Sequence, residues 1–401
     1  ARRRADGAPV ALLFLDLDSF KVVNDSLVLE VGDDLLRAVA GRLAACLPPS
    51  GTLARLGGDE FTVLLEGAGA AEARTVAGRI LAALDEPFTV GGHLVRAGAS
   101  IGVAMFDGDA ANPSELLRNA DLAMYEAKQR GKSRYEVFHP RLAERAHQRL
   151  VMEAELREAL HQHGFVLYFQ PEVELATSAT VSWEALPRWP HPTRGLLRAD
   201  DFVSLAEETG LIHAVGRFTL EEACLAAAGW TAAGNGACVS VNVSERQLLS
   251  LELVDQIESA LDGAGLPPQR LTIEVPERVL IAPRDLIDAL RAIRSTGARL
   301  ALDDFGSASS SFAHLKRLPF QIVKLHHSLV AGLGETSSDA AIVGAVVSVA
   351  HALGMEVTAE GVETTAQLDS LREIGCDRAQ GSQICAPIPL PEPSMLQSTN
   401  R

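Results

Sequence analysis

The sequence predicts two α/β domains in tandem, a mixed-sheet domain followed by a β/α barrel of the TIM (β/α)8 type. Three observations lead there. The chain has 401 residues, too many for one ordinary core. Its hydrophobic share of 47% is enough to bury two. The rhythm of its apolar runs also changes part-way, from mixed strands and helices to strands that alternate regularly with helices.

Residues 1–140 form the first domain. Val10–Leu17 is an apolar, strand-like run with Asp16 and Asp18 at its end. Helical patterns cover Asp33–Leu47 and Ala71–Leu84. Between them, Thr52–Leu56 and Phe61–Leu65 read as a hairpin turning at Gly57-Gly58, because both glycines take positive φ freely. Val95–Ala104 reads as a further strand, and Pro113–Gln129 as a helix. Residues 141–162 follow as a charged helix with Leu142, Leu150, Leu156 and Leu160 spread along it. Without a Gly/Pro/Ser cluster it reads as a connecting helix, or equally as the first helix of the second domain.

Residues 163–395 carry the barrel pattern. Strand-like runs fall at Val166–Gln170, Thr180–Glu184, Cys238–Val243, Arg270–Val275, Arg299–Asp303, Gln321–Leu325, Glu356–Glu360 and Arg378–Gln380, most of them separated by helical segments.

Composition excludes several classes. A formal net charge of −16 argues against a nucleic-acid polymer as partner, since such binding rests on phosphate neutralisation. A small anionic ligand stays open, because bound cations supply positive charge locally. The five cysteines are scattered without a C-x-x-C pair, which fits a reducing cytoplasm better than a disulfide framework or zinc site. No apolar run approaches the roughly 18–20 residues of a membrane-spanning helix; the richest, Ala340–Met355, is broken by Ser348 and His351 and reads as a buried helix. The opening Ala-Arg-Arg-Arg, without methionine, reads as part of a longer protein, with room for sensory or membrane-anchoring segments upstream.

The polar residues in the barrel strands carry the chemistry. Glu184, Asn242, Glu274, Asp303, Asp304, Lys324, Glu360 and Gln380 stand at or near the C-terminal ends of their strands, which a barrel gathers on one face. Each alone reads as a strand-end cap. Together they are hard to explain as packing, since like charges a few ångströms apart repel by about 4 kcal/mol at an effective dielectric near 20. Bound cations or protons relieve that, and an oxygen-rich set suits Mg²⁺, Mn²⁺ or Ca²⁺.

The run Glu184-Ala185-Leu186-Pro187-Arg188-Trp189 resembles the signature of the EAL family of cyclic-di-GMP phosphodiesterases. Gln170-Pro171, Asn242, Asp303-Asp304-Phe305-Gly306, Glu360-Gly361-Val362-Glu363 and Gln380-Gly381 match the same pattern in order, over about Phe165–Pro389. The resemblance implies a modified β/α barrel that hydrolyses cyclic-di-GMP to pGpG with two Mg²⁺ or Mn²⁺ ions. By it, Glu184, Asn242, Glu274 and Asp303 would hold the first metal. Asp303 would bridge to the second, with Asp304 beside it. Lys324 and Glu360 would position and deprotonate the attacking water, Gln380 would hold that water or a metal-bound one, and Gln170 and Arg188 would meet the substrate. The chain departs from the pattern at Ser307-Ala308-Ser309-Ser310-Ser311-Phe312, where a glycine and an aromatic are gone. Ser307 keeps a hydroxyl within prospective reach of Glu277, the expected support of that loop. His326 stands where the pattern has aspartate, at the expense of an ion pair near Lys324. A metal pair of His326 with His327 is disfavoured, as adjacent strand residues face opposite ways. The spacing from Glu274 to Asp303 is one residue short.

Gly57-Gly58-Asp59-Glu60-Phe61 is similar in the same way to the GGDEF family of diguanylate cyclases, with Asp16-Leu17-Asp18, Asn24-Asp25 and Gly32-Asp33 upstream, over about Pro9–Phe138. The resemblance implies that Asp16 and Asp59 hold one or two Mg²⁺ on GTP, with Glu60 close by. Asn24 and Asp33 would read guanine, and Lys128 and Lys132, four apart at a helix end, would bind phosphate. Val28-Leu29 replaces an expected Gly-His, and Pro48-Pro49-Ser50-Gly51 replaces the feedback-inhibition motif, so product inhibition through that site is expected to be absent. Three functions follow: a phosphodiesterase with a GTP-binding regulatory domain, a bifunctional enzyme or cyclase, and a catalytically silent cyclic-di-GMP receptor. A homodimer is expected by analogy with the family.

Overall fold

The computed structural model describes residues 9–18, 20, 29–106, 112–234, 236–281, 284–307, 315–335 and 337–391. The chain divides into two compact units between Met152 and Glu153.

The first unit is built on β1 (Val10–Leu17), α1 (Leu29–Ala45), β2 (Gly51–Gly57), β3 (Glu60–Glu66), α2 (Ala70–Asp85), β4 (Phe88–Val90), β5 (His93–Val95), β6 (Ala99–Phe106), α3 (Pro113–Gln129), β7 (Tyr135–Val137) and the start of α4 (Pro140–His161). Five strands form a mixed sheet in the order β2-β3-β1-β6-β7, antiparallel except for the β6–β7 pair. Central β1 is apolar on both faces because both are covered. Leu13, Leu15 and Leu17 pack in the core that takes in α1 and α2, while Leu12 and Phe14 pack against Ala120 and Met124 of α3. At Gly102 on β6 that second contact is backbone to backbone: a Cβ there would overlap the Ala120 carbonyl oxygen. The expected single strand Val95–Ala104 is two elements. Gly91 and Gly92, both at positive φ, close the small β4–β5 hairpin, and a new strand starts only at Ala99.

The second unit contains the end of α4, then β8 (Val166–Glu174), β9 (Thr180–His191), β10 (Gly195–Arg198), α5 (Ala199–Thr209), α6 (Ile212–Ala232), β11 (Cys238–Asn242), α7 (Glu245–Leu248), α8 (Leu253–Ala264), β12 (Leu271–Pro276), α9 (Arg284–Ser295), β13 (Arg299–Phe305), β14 (Ile322–Leu325), α10 (His327–Val330), α11 (Ser337–Ala352), β15 (Glu356–Ala359), α12 (Thr365–Ile374), β16 (Arg378–Ala379) and β17 (Ile388–Pro389). β9 and β11–β16 run parallel, and β8 closes the ring between β16 and β9. β8 runs antiparallel to both neighbours, which is the modification of the barrel that the resemblance implies. Residues 175–179 are too few for the crossover that parallel strands need and allow only a hairpin. Ser178, at φ 60°, turns it, donating its N–H to the Glu174 carbonyl at 2.7 Å.

The barrel core is Val/Ile/Leu-rich, with Val239, Val241, Leu271, Ile273, Leu300, Leu302, Val323 and Val357 fully buried on strands covered on both faces. Among the described residues, no helix is long and apolar enough to cross a membrane.

Candidate active site

The ends of the parallel strands deliver the predicted side chains to one mouth. Glu184 lies in the middle of β9 rather than at its end, but β11 pairs with β9 only as far as Ala185, so Glu184 stands where the parallel ring stops. Asn242 ends β11, Glu274 lies on β12, and Asp303 and Asp304 lie on β13. Lys324 is on β14, while Glu360 and Gln380 directly follow β15 and β16. Gln170 comes from reversed β8, opposite Glu184 in register.

Lys324 is the hub. Its side chain is 1% exposed, and its ammonium lies 2.7 Å from Glu360 Oε1, 2.8 Å from Glu274 Oε1, 3.4 Å from Glu184 Oε2 and 3.8 Å from Glu172 Oε1. Burial alone would lower its pKa; Glu184, Glu274, Glu360 and Asp303 outweigh burial and hold it well above the usual lysine value. Glu184 receives Nδ2 of Asn242 at 2.6 Å and Nε2 of Gln380 at 2.6 Å. Burial pushes Glu184 up, but Lys324 and these amides overcome it and keep its carboxyl below the ordinary range. Glu274 and Glu360 go the other way, raised well above it chiefly by burial, with neighbouring carboxylates adding. Asp303 is pushed up to about 6 by burial, then by Glu184 and Asp304.

The donor set fits divalent cations. Asp303, Asp304 and Glu360 each offer an oxygen, and the three atoms lie within 4.8 Å of one another. Neither oxygen of buried Glu274 has an aligned hydrogen bond, despite the ammonium beside it, and Oε1 of buried Gln380 has none either. Such groups are rare in folded interiors, and a cation or an ordered water beside them would satisfy them. All the candidate ligands are hard oxygens, as Mg²⁺ and Mn²⁺ prefer. This group includes Glu360, assigned by resemblance to the water, whose Oε1 is also the carboxylate oxygen nearest the Lys324 ammonium. Asp304 has φ 58°, a left-handed conformation that aspartate tolerates better than most residues.

A cavity of about 940 Å³ opens over this cluster, lined among others by Gln170, Glu184, Asn242, Asp303, Asp304 and Glu360. Arg188 is 7% exposed, bonds the Pro187 carbonyl at 3.1 Å, and stands beside the wall rather than on it. At the altered loop, Ser307 Oγ and the Gly306 N–H each donate to Glu277 Oε2 at 3.2 Å. Residues 308–314, the rest of that loop, lie outside the described residues. His326 and His327 are not adjacent strand residues. Strand β14 ends at Leu325, and the two rings lie 4.0 Å apart between centroids, tilted 35°. His326 caps α10, its Nδ1 accepting from the Ser328 N–H at 3.3 Å, and its Nε2 lies 3.9 Å from Asp304.

In the first unit Asp16 and Glu60 are paired in register across β1 and β3. Asp16 Oδ2 lies 2.7 Å from the Lys128 ammonium. Burial raises the Asp16 pKa, opposed by Lys128 and aided by Asp59 and Asp18. Asp33 lines a separate cleft of about 400 Å³ with Arg37, Arg55 and Phe61. Asn24 lies outside the described residues. Lys132 is not on the helix with Lys128 as expected. α3 stops at Gln129, Gly131 takes φ 109°, and Lys132 follows at φ 59° in the turn, a glycine-led helix termination.

Residues 153–387 match the family model of the EAL domain. The chain belongs to the EAL domain family. Residues 1–134 match the model of the diguanylate cyclase, GGDEF domain, placing a GGDEF domain before the EAL domain. The chain is 39% identical over 386 residues to the bifunctional diguanylate cyclase/cyclic di-GMP phosphodiesterase MucR of Pseudomonas aeruginosa, covering 96% of this chain and 56% of that protein. It is 39% identical over 389 residues to the cyclic di-GMP phosphodiesterase NbdA of the same organism, covering 96% and 50%. The chain spans about half the length of these curated relatives. The solved structure of the PaMucR phosphodiesterase, in a c-di-GMP complex, is 37% identical with a TM-score of 0.57, covering 60% of this chain and 98% of that one. An EAL domain protein from Listeria monocytogenes is 29% identical with a TM-score of 0.53, covering 59% and 94%.

The EAL site also contains a carboxylate that sequence reasoning missed. Glu172 is 3% exposed, reaches Lys324 from β8, and lies 3.6 Å from Arg378 through its other oxygen. The alternation of β8 could have found it, since Glu172 shares a face with Gln170.

Proposed function

We propose that the EAL domain hydrolyses cyclic-di-GMP to pGpG and that the GGDEF domain binds GTP as a regulator of that reaction. The observation that carries this is the buried ammonium of Lys324 ringed by carboxylates, with Glu274 Oε2 and Gln380 Oε1 left without a partner among the described residues. Glu184, Asn242, Glu274 and Asp303 would hold one Mg²⁺ or Mn²⁺, and Asp303 with Asp304 a second. When bound, such ions lower the pKa of a water towards about 7 and steady the leaving oxygen.

The protein's own groups do the rest. Glu360 lines the cavity and carries a raised pKa, which suits it to accept the proton of the attacking water. Lys324, 2.7 Å from it, fixes its carboxylate and keeps positive charge under the reacting phosphate. Gln380 and Gln170, joined at 3.2 Å, orient the polar edge of the site. Arg188 would swing from its carbonyl contact to a substrate phosphate. In the GGDEF domain, Asp16 and Asp59 would hold one or two Mg²⁺ on GTP. Lys128 would exchange Asp16 for phosphate, Lys132 would add charge, and Asp33 would accept from guanine's N1–H and N2–H.

The test is to incubate the protein with Mg²⁺ or Mn²⁺ and either cyclic-di-GMP or GTP, then separate the nucleotides by chromatography. The proposal requires pGpG from cyclic-di-GMP, and its failure to appear with either metal overturns it. Glu184→Ala should abolish hydrolysis while the fold persists. Asp59→Ala should spare hydrolysis and remove GTP binding; equal loss of hydrolysis in both variants contradicts the division of roles.

A further inference from the structure

We infer that Arg278 is a specificity-determining residue that reads a guanine of the substrate at the mouth of the EAL cavity. The inference rests on the phosphodiesterase reading and deepens it. Among the described residues, the wall of that cavity carries seven carboxylates, and Arg278 is the one lysine or arginine on it. A cyclic dinucleotide brings two phosphates and two bases into this acidic space.

Arg278 sits in a 3₁₀ turn, Glu277–Ile281, directly after β12. The turn splits two neighbours. Glu277 is 2% exposed and holds the Gly306–Ser307 backbone and hydroxyl, while the Arg278 side chain is 56% exposed. The guanidinium is therefore carried on a turn anchored from inside. Its own partners are loose: Glu245 at 3.4 Å and Glu207 at 3.8 Å. Exposed pairs of this kind contribute little and exchange readily.

Depth decides which part of the ligand reaches it. The cation-ligating candidates lie at the floor, Glu274 at 1% and Glu184 at 8% exposure, so a phosphate seated there sends its nucleosides outward. Guanine presents O6 and N7 as adjacent acceptors that an arginine fork meets with two N–H donors. Adenine presents N7 beside an amino donor, which turns one arm of the fork away. An arginine here thus distinguishes purines, beyond balancing charge.

The test uses the full chain in a Glu360→Gln background with Mg²⁺, which leaves the ligand intact during titration calorimetry. Cyclic-di-GMP, its inosine analogue (O6 and N7 kept) and cyclic-di-AMP are titrated into Arg278, Arg278→Ala and Arg278→Lys forms. Arg278→Ala should weaken the guanine and inosine ligands about fivefold to a hundredfold, the range of one bidentate base contact, and leave cyclic-di-AMP within about twofold. Arg278→Lys should recover part of the loss. In the otherwise native enzyme, Arg278→Ala should raise KM with kcat held, as loss of uniform binding does. Equal weakening of all three ligands means a phosphate or general charge contact and overturns the inference. No change for any of them means a surface ion pair and also overturns it. Guanine-selective binding with no release of pGpG sinks the phosphodiesterase reading alone.

Discussion

The ammonium of Lys324 lies 2.8 Å from Glu274 Oε1, with the two side chains 1% and 0% exposed. A buried cation so placed is the counter-charge for a whole ring of acids. Removing one partner of such a pair leaves uncompensated charge and costs about 3–5 kcal/mol. Lys324→Met should therefore lower stability by that order in chelator at pH 7.5, read from denaturant midpoints, and should abolish hydrolysis. An unchanged midpoint would mean that the acids are not held by this lysine.

Asp303 gives a pH dependence of known sign. Its folded pKa, about 6, lies above the ordinary carboxylate value, so the fold favours the protonated form. Its contribution is present below about pH 4, the unfolded value, and is lost as pH rises towards 6. Metal-free protein should lose stability across that window. Asp303→Asn should flatten the loss, and Mg²⁺ or Mn²⁺ should stabilise the native form more as pH rises. Melting curves at half-unit pH steps, with chelator and with metal, check all three. A metal increment independent of pH would contradict the buried carboxylate site.

The site was legible because its chemistry interrupts apolar strands: an acid or amide at the end of a Val/Ile/Leu run has few structural excuses. Lys324 and Glu274 were found that way. Glu172 was not, because one acid inside a strand with an outward face looks solvated until the partner strands are known. The reversal of β8 was hidden for a related reason, since apolar periodicity gives a strand no direction and only the short link at residues 175–179 does. His326 and His327 lie past the end of β14, at Leu325, so strand alternation does not govern the way their rings face. Spacing by four suggests that Lys132 shares a helix with Lys128, but Gly131 at φ 109° follows the end of that helix.

Glu277 tests the altered loop. It accepts from the Gly306 N–H and the Ser307 hydroxyl, both at 3.2 Å, and a hydrogen bond to a charged group contributes about 1.5–3 kcal/mol. Ser307→Ala removes one of the two donors and should cost less than Glu277→Ala, which removes the shared acceptor. In kcat/KM the expected losses are about threefold to tenfold for Ser307→Ala and about a hundredfold for Glu277→Ala, with the serine variant's melting temperature lowered by several degrees. Equal losses would show that the hydroxyl alone carries the support.

Gly102 tests the packing of the GGDEF domain. Its missing Cβ lets α3 lie directly on β6, where a methyl would meet backbone atoms of Ala120 and Met124. Backbone cannot rotate aside as a side chain can, so Gly102→Ala forces the helix off the sheet. Overpacking of this kind costs about 1–3 kcal/mol, and the upper end is expected here. The same shift carries Lys128, on α3, away from Asp16, on β1, and opens their 2.7 Å contact. Hydrogen exchange should accelerate in β6 and α3, and GTP binding should weaken at least tenfold. Unchanged protection in α3 would mean that the helix does not rest on this glycine.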